Sequence, residues 1–355
     1  MGLQRHNWVA EPWSDSEELE CAMVIPETAD CFTFAFRSPS GAWFDYQPGQ
    51  FLTLDLPVNG STMHRTFTIS SSPSRPLSIS VTVKVQTNSV GSRWMLDHLR
   101  PGMRLKAYGP AGYFSSLRHP ARKYLFISAG SGITPMMSMT TWAWDSGEMP
   151  DIVFVHAARR PSDVIFKRRL EQFASRVPGL QLRFTVEEVE PFEVWSGYRG
   201  RLSQIMLGLM AHDYLDREIF CCGPEPFMRS VREMLVSLGY AMTHYHEESF
   251  SSPVADEPQI TPEVPASDVN SEISFVAAGK SVRCESSETV LAIARRSGLN
   301  IPSGCNFGLC GTCKVRKTSG EVTMVHNGGI TDDEIFEGYI LACCSRPKGA
   351  VTIDL

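Results

Sequence analysis

The chain has 355 residues, of which 33 are basic and 39 acidic, giving a formal net charge of −6. It is long enough for two or three domains, and because it has no basic run or basic patch with interleaved aromatic residues, we expect no nucleic-acid partner. No stretch approaches the roughly 18 apolar residues of a membrane span and the N-terminus lacks the apolar core of a signal peptide, so we predict a cytoplasmic protein with no membrane partner.

Residues 15–118 are predicted to form an antiparallel β-barrel. Four stretches alternate apolar and polar residues between Gly, Pro and Asn turns: CFTFAFRSP, QFLTLDLPV, HRTFTISSS and LSISVTVKV. One face of the last stretch is expected to carry Leu77, Ile79, Val81, Val83 and Val85. Short strands at such even spacing are typical of a barrel.

Residues 119–250 are predicted to form an α/β domain. Short, continuous apolar runs (KYLFISAG, DIVFVHAAR, LQLRFTVEE and REIFCCGP) alternate with helical stretches such as PFMRSVREMLVSLGY. This alternation predicts a parallel sheet with helices on both faces.

The remainder of the chain is predicted to be a linker followed by a third domain. Residues 251–271 contain four prolines and four acidic residues but no basic residue, which indicates an extended linker. Residues 272–355 follow, with a hairpin turning at Gly279-Lys280 and a short helix that ends before Gly298.

The third domain carries a cysteine pattern typical of a metal centre. The spacing is C-x4-C-x2-C with a fourth cysteine after a long gap, at Cys305, Cys310, Cys313 and Cys343. Four thiolates in this pattern indicate a plant-type 2Fe–2S cluster. Structural zinc usually needs two paired half-sites and only one is present, and unliganded buried thiols are the third interpretation. The chain's other cysteines include Cys21, Cys31, Cys221 and Cys284, which we interpret as packing residues.

The loop around these cysteines is rich in glycine. Without side chains the backbone can turn its amides toward inorganic sulfide, as is possible at Gly304, Gly308 and Gly311. Cys344 is adjacent to Cys343, so spacing alone allows either as the fourth ligand, and the Leu-Ala-Cys context favours Cys343. A cluster of this type accepts one electron at a time whereas a nicotinamide gives up hydride, so a flavin is the expected intermediary.

The stretch RTFTISSSP (65–73) resembles the R-x-Y-S/T signature of the ferredoxin–NADP reductase superfamily, although RTFT alone is also an ordinary strand sequence. The resemblance implies that Arg65 neutralises the flavin pyrophosphate and that Phe67, in place of the usual tyrosine, lies along the flavin. It also implies that the Thr68 hydroxyl points toward flavin N5. The further flavin-binding positions are Thr66, Val81, Val83, Lys84, Gly91 and Ser92. Ser92 lies at the start of a predicted helix, where the helix dipole favours phosphate.

Two loops that follow predicted strands resemble the nicotinamide-side loops of the same superfamily. The first, SAGSGITPMM, contributes Gly130, Gly132, Thr134 and Pro135. The second, CCGPEPFM, contributes Cys222, Gly223 and Pro224. The resemblance places Cys222 near the nicotinamide carbon that gives up hydride.

Arg159, Glu248 and Phe250 complete the predicted site. Arg159 is the candidate contact for the adenine-side ribose or phosphates, whereas His156 could simply be a strand-end histidine. Phe250 would cover the flavin face where the nicotinamide enters, unless it is an ordinary packing aromatic. The predicted catalytic set is Thr68, Cys222, Glu248 and Phe250.

Over essentially the whole chain, the three modules resemble the reductase components of bacterial Rieske-type monooxygenases, with CCGPEP, YHEESF, GTCKV, HNGGITD and GYIL in the same order. The resemblance implies an NADH-dependent oxidoreductase with FAD and one 2Fe–2S cluster. It implies a Rieske-type oxygenase partner that demethylates a quaternary ammonium compound such as glycine betaine. The implied fold is multidomain (β, α/β and α+β): an antiparallel flavin-binding barrel, a parallel-sheet nicotinamide domain and a β-grasp-like ferredoxin domain.

Two other functions remain open at this point. An NADH reductase for a hybrid-cluster protein shares this layout. An iron–sulfur redox-sensing binding protein would show little NADH turnover, whereas the RTFT, GSGITP and CCGP motifs favour turnover. NADH is predicted over NADPH because no Ser-x-Arg or Lys pair is clearly placed to clamp a 2′-phosphate.

Overall fold

The computed structural model describes residues 11–85, 89–148, 150–250, 271–303, 308, 311–326 and 329–355. They form two compact units, one mainly from residues 11–250 and the other mainly from residues 271–355. The predicted linker lies outside the described residues except for Ser271, which begins a strand. Among the described residues, no helix combines the length and apolarity needed to cross a membrane.

The first part of the larger unit is a β structure with one helix. Its elements are β1 (Leu19–Thr28), β2 (Cys31–Arg37), β3 (Phe51–Val58), β4 (Ser61–Thr68), β5 (Ile79–Lys84), α1 (Val90–His98), β6 (Arg104–Leu105) and β7 (Ala107–Ala111). The strands form an antiparallel sheet in the order β5-β2-β1-β6 and a second sheet in the order β4-β3-β7. Both sheets contribute to one apolar core. A bridge between Ile69 and Val81 links them.

The predicted apolar face of β5 is confirmed except at its first position. Ile79, Val81 and Val83 are buried, whereas Leu77 precedes the strand and is 58% exposed. Thr82 on the opposite face is also buried, and its hydroxyl is satisfied by bonds with those of Thr33 and Ser70, each at 2.8 Å.

The second part of the larger unit is a parallel α/β structure. Its elements are β8 (Lys123–Ala129), α2 (Ile133–Ser146), β9 (Asp151–Ala158), α3 (Lys167–Ala174), β10 (Leu180–Val186), β11 (Tyr198–Arg199), α4 (Gln204–Met210), β12 (Glu218–Gly223), α5 (Glu225–Ser237) and β13 (Tyr245–Ser249). All strand pairs are parallel, in the order β11-β10-β9-β8-β12-β13. Two apolar cores flank the sheet, one against α2 and α3 and the other against α4 and α5. The predicted sheet with helices on both faces is therefore confirmed.

The strand order of this sheet identifies its ligand-binding edge. The chain moves outward from β8 through β9 to β10 and then returns to β12 on the other side of β8. Open parallel sheets bind ligands outside the carboxyl ends of their strands, at the point where the order reverses. The loops that follow β8 and β12 lie at that point.

The smaller unit is a mixed sheet covered by a helix. Its elements are β14 (Ser271–Phe275), β15 (Lys280–Cys284), α6 (Val290–Arg296), β16 (Lys314–Met324), α7 (Asp332–Phe336), β17 (Tyr339–Leu341) and β18 (Ser345–Asp354). The order is β15-β14-β18-β16-β17, and β14 and β18 are the parallel pair. The helix α6 starts at an N-cap, Thr289, whose hydroxyl accepts a bond from the Ala292 amide at 3.2 Å, and it buries Leu291 and Ile293 in the core.

Candidate cofactor sites

The two glycine-containing loops meet at the switch point of the parallel sheet. A 3-10 turn over Gly130–Gly132 joins β8 to α2, and Pro224 joins β12 to α5. A Cβ added to Gly132 would lie 2.1 Å from the carbonyl oxygen of Cys222, so no larger residue fits there. The Thr134 hydroxyl donates to the Ser131 carbonyl at 3.0 Å, which holds the turn.

A row of buried polar side chains crosses the sheet directly below these loops. Glu248, Cys222, Ser128 and His156 are successive register neighbours on β13, β12, β8 and β9. Register neighbours point to the same face of a sheet, so the four side chains form one continuous row. All four are buried.

Glu248 is a buried carboxyl group of which only one oxygen is hydrogen-bonded among the described residues. The Thr68 hydroxyl, on β4 of the barrel, donates to its Oε2 at 3.3 Å. The other oxygen, Oε1, is buried without a hydrogen-bond partner among the described residues. Burial raises the pKa of the carboxyl to about 8. The RTFT strand and the nicotinamide-side strands are thus brought to one place, and an unpaired buried acceptor there fits a bound cofactor.

The rest of the row is uncharged at neutral pH. Burial raises the pKa of the Cys222 thiol well above its usual value, and burial lowers the pKa of His156 to about 3. His156 Nδ1 lies 2.9 Å from the Ser128 hydroxyl, while its Nε2 has no partner among the described residues. A neutral thiol is a poor nucleophile, so Cys222 is suited to packing against a ring rather than to covalent chemistry.

Sequence reasoning found Cys222 and Glu248 but not Ser128, and it left His156 undecided. The sequence did contain one clue to all four residues, which is that each lies one or two positions before the end of its strand. That they form one row depends on the register of four strands, which no local pattern specifies.

The other predicted flavin-side residues lie on β4, β5 and α1. Arg65 is exposed and its guanidinium donates to the His64 carbonyl at 2.9 Å, while Phe67 packs against the barrel core. Val81 and Val83 have their side chains in that core, so only their backbone could face a flavin. Lys84 pairs with Asp30 at 3.5 Å. Thr66 lies beside Phe67 on β4 and is partly buried.

The predicted phosphate-binding helix begins at Val90, two residues before Ser92. Gly91 and Ser92 are buried in the first turn of α1. The Ser92 hydroxyl donates to that of Ser89 at 2.6 Å. Ser89 is the N-cap but makes no side-chain bond to the helix amides, so the amino end of α1 keeps the donors that suit a phosphate.

The predicted adenine-side and terminal residues are both at the carboxyl edge of the sheet. Arg159 follows β9 and is exposed. Its neighbour Arg160 pairs with Glu188 at 3.5 Å and Glu190 at 3.2 Å. Phe250 follows β13 and is 41% exposed.

In the smaller unit, two of the four predicted cluster ligands can be described. Cys313 and Cys343 are buried in the core, and the Cys343 amide donates to the Cys313 sulfur at 3.4 Å. Such amide–sulfur bonds stabilise thiolate ligands. The other two predicted ligands, Cys305 and Cys310, lie outside the described residues.

The glycines beside these ligands leave no space for a side chain. Gly308 and Gly311 have φ of +76° and +70°. A Cβ on Gly308 would lie 2.8 Å from the Cys344 sulfur, and one on Gly311 would lie 2.9 Å from the Gly329 carbonyl oxygen. The close contacts at these two glycines and the buried thiols of Cys313 and Cys343 fit a 2Fe–2S cluster.

Comparison with protein-family models gives three matches. Residues 19–115 match an oxidoreductase FAD-binding domain, residues 126–233 an oxidoreductase NAD-binding domain, and residues 275–348 a 2Fe-2S iron-sulfur cluster binding domain. The predicted cofactors FAD, NAD and a 2Fe–2S cluster are therefore confirmed.

Two relatives match over nearly their full length. The chain is 57% identical to the stachydrine N-demethylase reductase subunit of Rhizobium meliloti, with 96% of this chain and 97% of that protein covered. It is 47% identical to a glycine betaine monooxygenase reductase subunit of Pseudomonas aeruginosa, with 97% of both chains covered.

Among solved structures, phthalate dioxygenase reductase matches with a TM-score of 0.62 and 22% identity, covering 97% of this chain and all of that chain (100%). An intact self-sufficient cytochrome P450 monooxygenase matches with a TM-score of 0.70 and 23% identity, covering 99% of this chain and 43% of that one. The predicted fold class is confirmed.

Proposed function

The chain belongs to the family of monooxygenase reductase subunits that combine FAD-binding, NAD-binding and 2Fe–2S domains, and from this premise we propose that its partner is a Rieske-type oxygenase that demethylates a quaternary ammonium compound. The chain is an NADH-dependent oxidoreductase, as predicted from the sequence. The predicted electron transfer to an oxygenase is the function of this family.

Bound FAD would supply an acceptor for the hydride of NADH, and a bound 2Fe–2S cluster would supply one-electron transfer. The chain's own residues bind and orient these groups. Gly132 lets the two switch-point loops pack closely against each other, because a Cβ there would clash with the Cys222 carbonyl. Cys222 offers a neutral, buried thiol beside them. Thr68 and Glu248 present a paired hydroxyl and carboxyl from opposite sides of the same site.

The observation that carries the proposed partner is the identity of 57% and 47% to the stachydrine N-demethylase and glycine betaine monooxygenase reductase subunits. The hydrogen bond between Thr68 and Glu248 supports the proposed hydride transfer, because it joins the predicted flavin strand to the polar row of the parallel sheet. Cys313 and Cys343, together with the predicted ligands Cys305 and Cys310, would hold the cluster. Arg65, Ser92 and Arg159 remain proposed phosphate or ribose contacts.

The substrate class is supported by the gradient of similarity among relatives. Identity falls from 57% for the stachydrine N-demethylase reductase subunit to 47% for a glycine betaine monooxygenase reductase subunit. It is 32% for the 3-ketosteroid-9-alpha-monooxygenase reductase component of Mycolicibacterium smegmatis. This ranking favours an N-methylated, quaternary ammonium substrate over a steroid. A cytoplasmic location is part of the proposal.

Reconstitution with a purified candidate Rieske-type oxygenase tests the proposal. With NADH present, we expect formaldehyde release from stachydrine or glycine betaine only when both proteins are supplied, and no oxidation of a ketosteroid used as control. Steady reduction of ferricyanide by NADH without electron delivery to any such oxygenase would contradict the proposed partner. Negligible NADH turnover with every acceptor would instead support a redox sensor.

A further inference from the structure

Three side chains converge at the amino edge of the parallel sheet, opposite the cofactor edge. Glu218 is the first residue of β12, His246 is the second residue of β13, and His119 lies just before β8. Each offers one ligand atom, and the three atoms lie within 4.8 Å of one another. The cluster brings together positions that are far apart in the chain.

The contacts within this cluster are short and polar. His246 Nε2 lies 2.6 Å from Glu218 Oε1, and His244 Nδ1 lies 2.9 Å from Glu218 Oε2. The rings of His119 and His246 stack with their centroids 3.6 Å apart. The side chains of Glu218 and His246 are only 14% and 16% exposed.

The cluster packs against an apolar ring on one side and is open to solvent on the other. The ring of Phe220 lies 4.9 Å from that of His246 and 6.0 Å from that of His119, measured between centroids. The fourth polar group, His244, is 60% exposed, so water or an ion can reach the carboxylate from that side. Among the described residues, this is the one group of His, Cys, Asp and Glu side chains whose ligand atoms converge in this way.

We propose that His119, Glu218 and His246 bind one divalent transition-metal ion of the zinc type, with His244 orienting the carboxylate of Glu218. Two imidazoles and one carboxylate are a donor set that zinc accepts, with its fourth position left to water. The carboxylate–histidine pair would fix the orientation of the ligand, as such outer partners do at metal sites.

Only small side-chain movements are needed. Zinc–ligand bonds of about 2.0–2.2 Å place tetrahedral ligand atoms roughly 3.4 Å apart. His246 Nε2 and Glu218 Oε1, now 2.6 Å apart, must therefore separate by somewhat less than an ångström. Since all three ligand atoms already lie within 4.8 Å of one another, no pair has to close by more than about 1.4 Å. The two stacked rings must also turn so that their lone pairs converge. His119 lies outside the strands, and its ring can make most of this adjustment.

The proposed ion lies apart from the cofactor edge of the sheet. Glu218 precedes Cys222 by four residues on one strand, which places it about 13 Å from the polar row. An ion at this distance would tie the segment before β8 to β12 and β13 without contacting the cofactors.

The test uses untagged holoprotein whose cluster cysteines are occupied by iron, so that they cannot take the added metal. Equilibrium dialysis against Zn²⁺ measures stoichiometry and Kd, with thermal unfolding measured alongside. We expect one zinc per chain, a higher Tm with zinc, and binding weakened about tenfold or more by His119→Ala. His212→Ala, which changes an exposed histidine outside the cluster, is the matched control and is expected to bind zinc as the native protein does.

Native NADH–ferricyanide activity of His119→Ala shows that the variant is folded. If that variant does not fold, Glu218→Gln, which keeps the shape of the side chain, replaces it in the same titration. Equal zinc affinity in the native protein and the cluster variant, or no zinc bound by the native protein, would overturn the proposal.

Discussion

Glu248 lies in an environment unlike that of an ordinary, solvent-exposed carboxyl. It is buried and its pKa is raised to about 8, from an ordinary value of 4.5. It is therefore largely protonated at neutral pH and ionises as the pH rises. A nicotinamide that loses hydride becomes positively charged, and a desolvated carboxylate nearby favours that charge.

We therefore expect kcat/KM for NADH to rise with pH through about 8, where Glu248 ionises. Glu248→Gln cannot ionise, so its profile is expected to be flat in this range and about tenfold lower at the alkaline end. Rapid-mixing measurement of flavin reduction against pH checks this. Glu247→Gln, next to it but paired with Arg232, is the matched control. A profile that keeps its rise in Glu248→Gln would show that another group titrates.

The same shift predicts a pH effect on stability. The folded-state pKa of Glu248 lies above the ordinary value, so its contribution to stability is complete below about 4.5 and is lost as the pH rises through about 8. Denaturant unfolding of the native protein and Glu248→Gln should show the native protein losing stability relative to the variant over this range. If the free energy of unfolding depends on pH in the same way in both proteins, ionisation of Glu248 does not destabilise the folded state.

Cys343 and Cys344 are adjacent but differ in their surroundings. Cys343 is buried and its amide bonds to the Cys313 sulfur, whereas the Cys344 thiol donates to the Leu341 carbonyl at 3.7 Å. We expect Cys343→Ser to lose most of its iron and its cluster spectrum, and Cys344→Ser to keep both. Iron analysis and electron paramagnetic resonance of the reduced proteins measure this. Loss of iron from Cys344→Ser alone would exchange the two assignments.

At the scale of elements, the carboxyl ends of β9 and β10 bear on the choice between NADH and NADPH. Arg160 after β9 is engaged by Glu188 and Glu190 after β10. These carboxylates neutralise the arginine and would repel a 2′-phosphate, so NADH should be preferred. We expect the double variant Glu188→Gln, Glu190→Gln to raise kcat/KM for NADPH about fivefold, with little change for NADH.

Glu171→Gln is the matched control for this pair, because Glu171 pairs with Lys167 on α3 instead. Steady-state kinetics with both dinucleotides measures the effect. An unchanged ratio of the two kcat/KM values in the double variant would show that the 2′-phosphate of NADPH does not bind beside Glu188 and Glu190.

The amino edge of the same sheet is held by a buried ion-pair network. Arg217, with a side chain only 2% exposed, bonds to Asp213 at 2.6 Å and to Asp151 at 3.0 Å. Lys123 bonds to Asp213 at 2.8 Å. Burial alone would raise the pKa of Asp213, but the bonds from Arg217 and Lys123 outweigh it and hold that pKa well below its usual range.

We expect Arg217→Met to destabilise the larger unit by about 2–3 kcal/mol, because methionine cannot donate the bonds that the buried guanidinium makes to Asp213 and Asp151. Asp213 keeps its bond to Lys123, which limits the loss. Arg232→Met, which removes a half-exposed ion pair, should cost at most about 1 kcal/mol. Urea unfolding followed by flavin fluorescence compares the two. Equal midpoints for both variants would show that burial does not strengthen the Arg217 network.

At the scale of the whole molecule, the residues predicted to act in hydride transfer and those predicted to bind the cluster lie in different parts of the sequence. Thr68, Cys222 and Glu248 all lie before residue 251, and the cysteines assigned to the cluster all lie after it. The matches to the FAD-binding and NAD-binding family models end at residue 233, and the match to the 2Fe-2S model begins at residue 275.

Ending the chain at Phe250 should therefore preserve NADH oxidation with ferricyanide, within about twofold, and abolish oxygenase-coupled demethylation. Parallel assays of the two reactions measure this, with the full chain as control. Loss of flavin from the shortened protein would show that the FAD site needs residues beyond Phe250. Demethylation by the shortened protein would contradict the role assigned to the cluster.

Features that depend on local backbone and covalent chemistry were determined by the sequence alone. The alternating strands of the barrel, the α/β alternation after residue 119 and the cysteine spacing each follow from a few adjacent residues. Gly132 and Gly308 could likewise be recognised, because a close backbone approach excludes every larger side chain. The cysteine spacing indicated the 2Fe–2S cluster, whereas FAD and NADH were implied by the resemblance of the RTFT, GSGITP and CCGP motifs to a known superfamily.

Only the tertiary structure decided which distant residues meet and how far water is excluded from them. The alignment of Ser128 and His156 with Cys222 and Glu248 requires the register of four strands. The raised pKa of Glu248 requires its burial against the barrel, and the cluster around Glu218 requires three chain segments to share one edge. Register and desolvation arise from contacts between residues far apart in the chain, and no local pattern of the sequence encodes them.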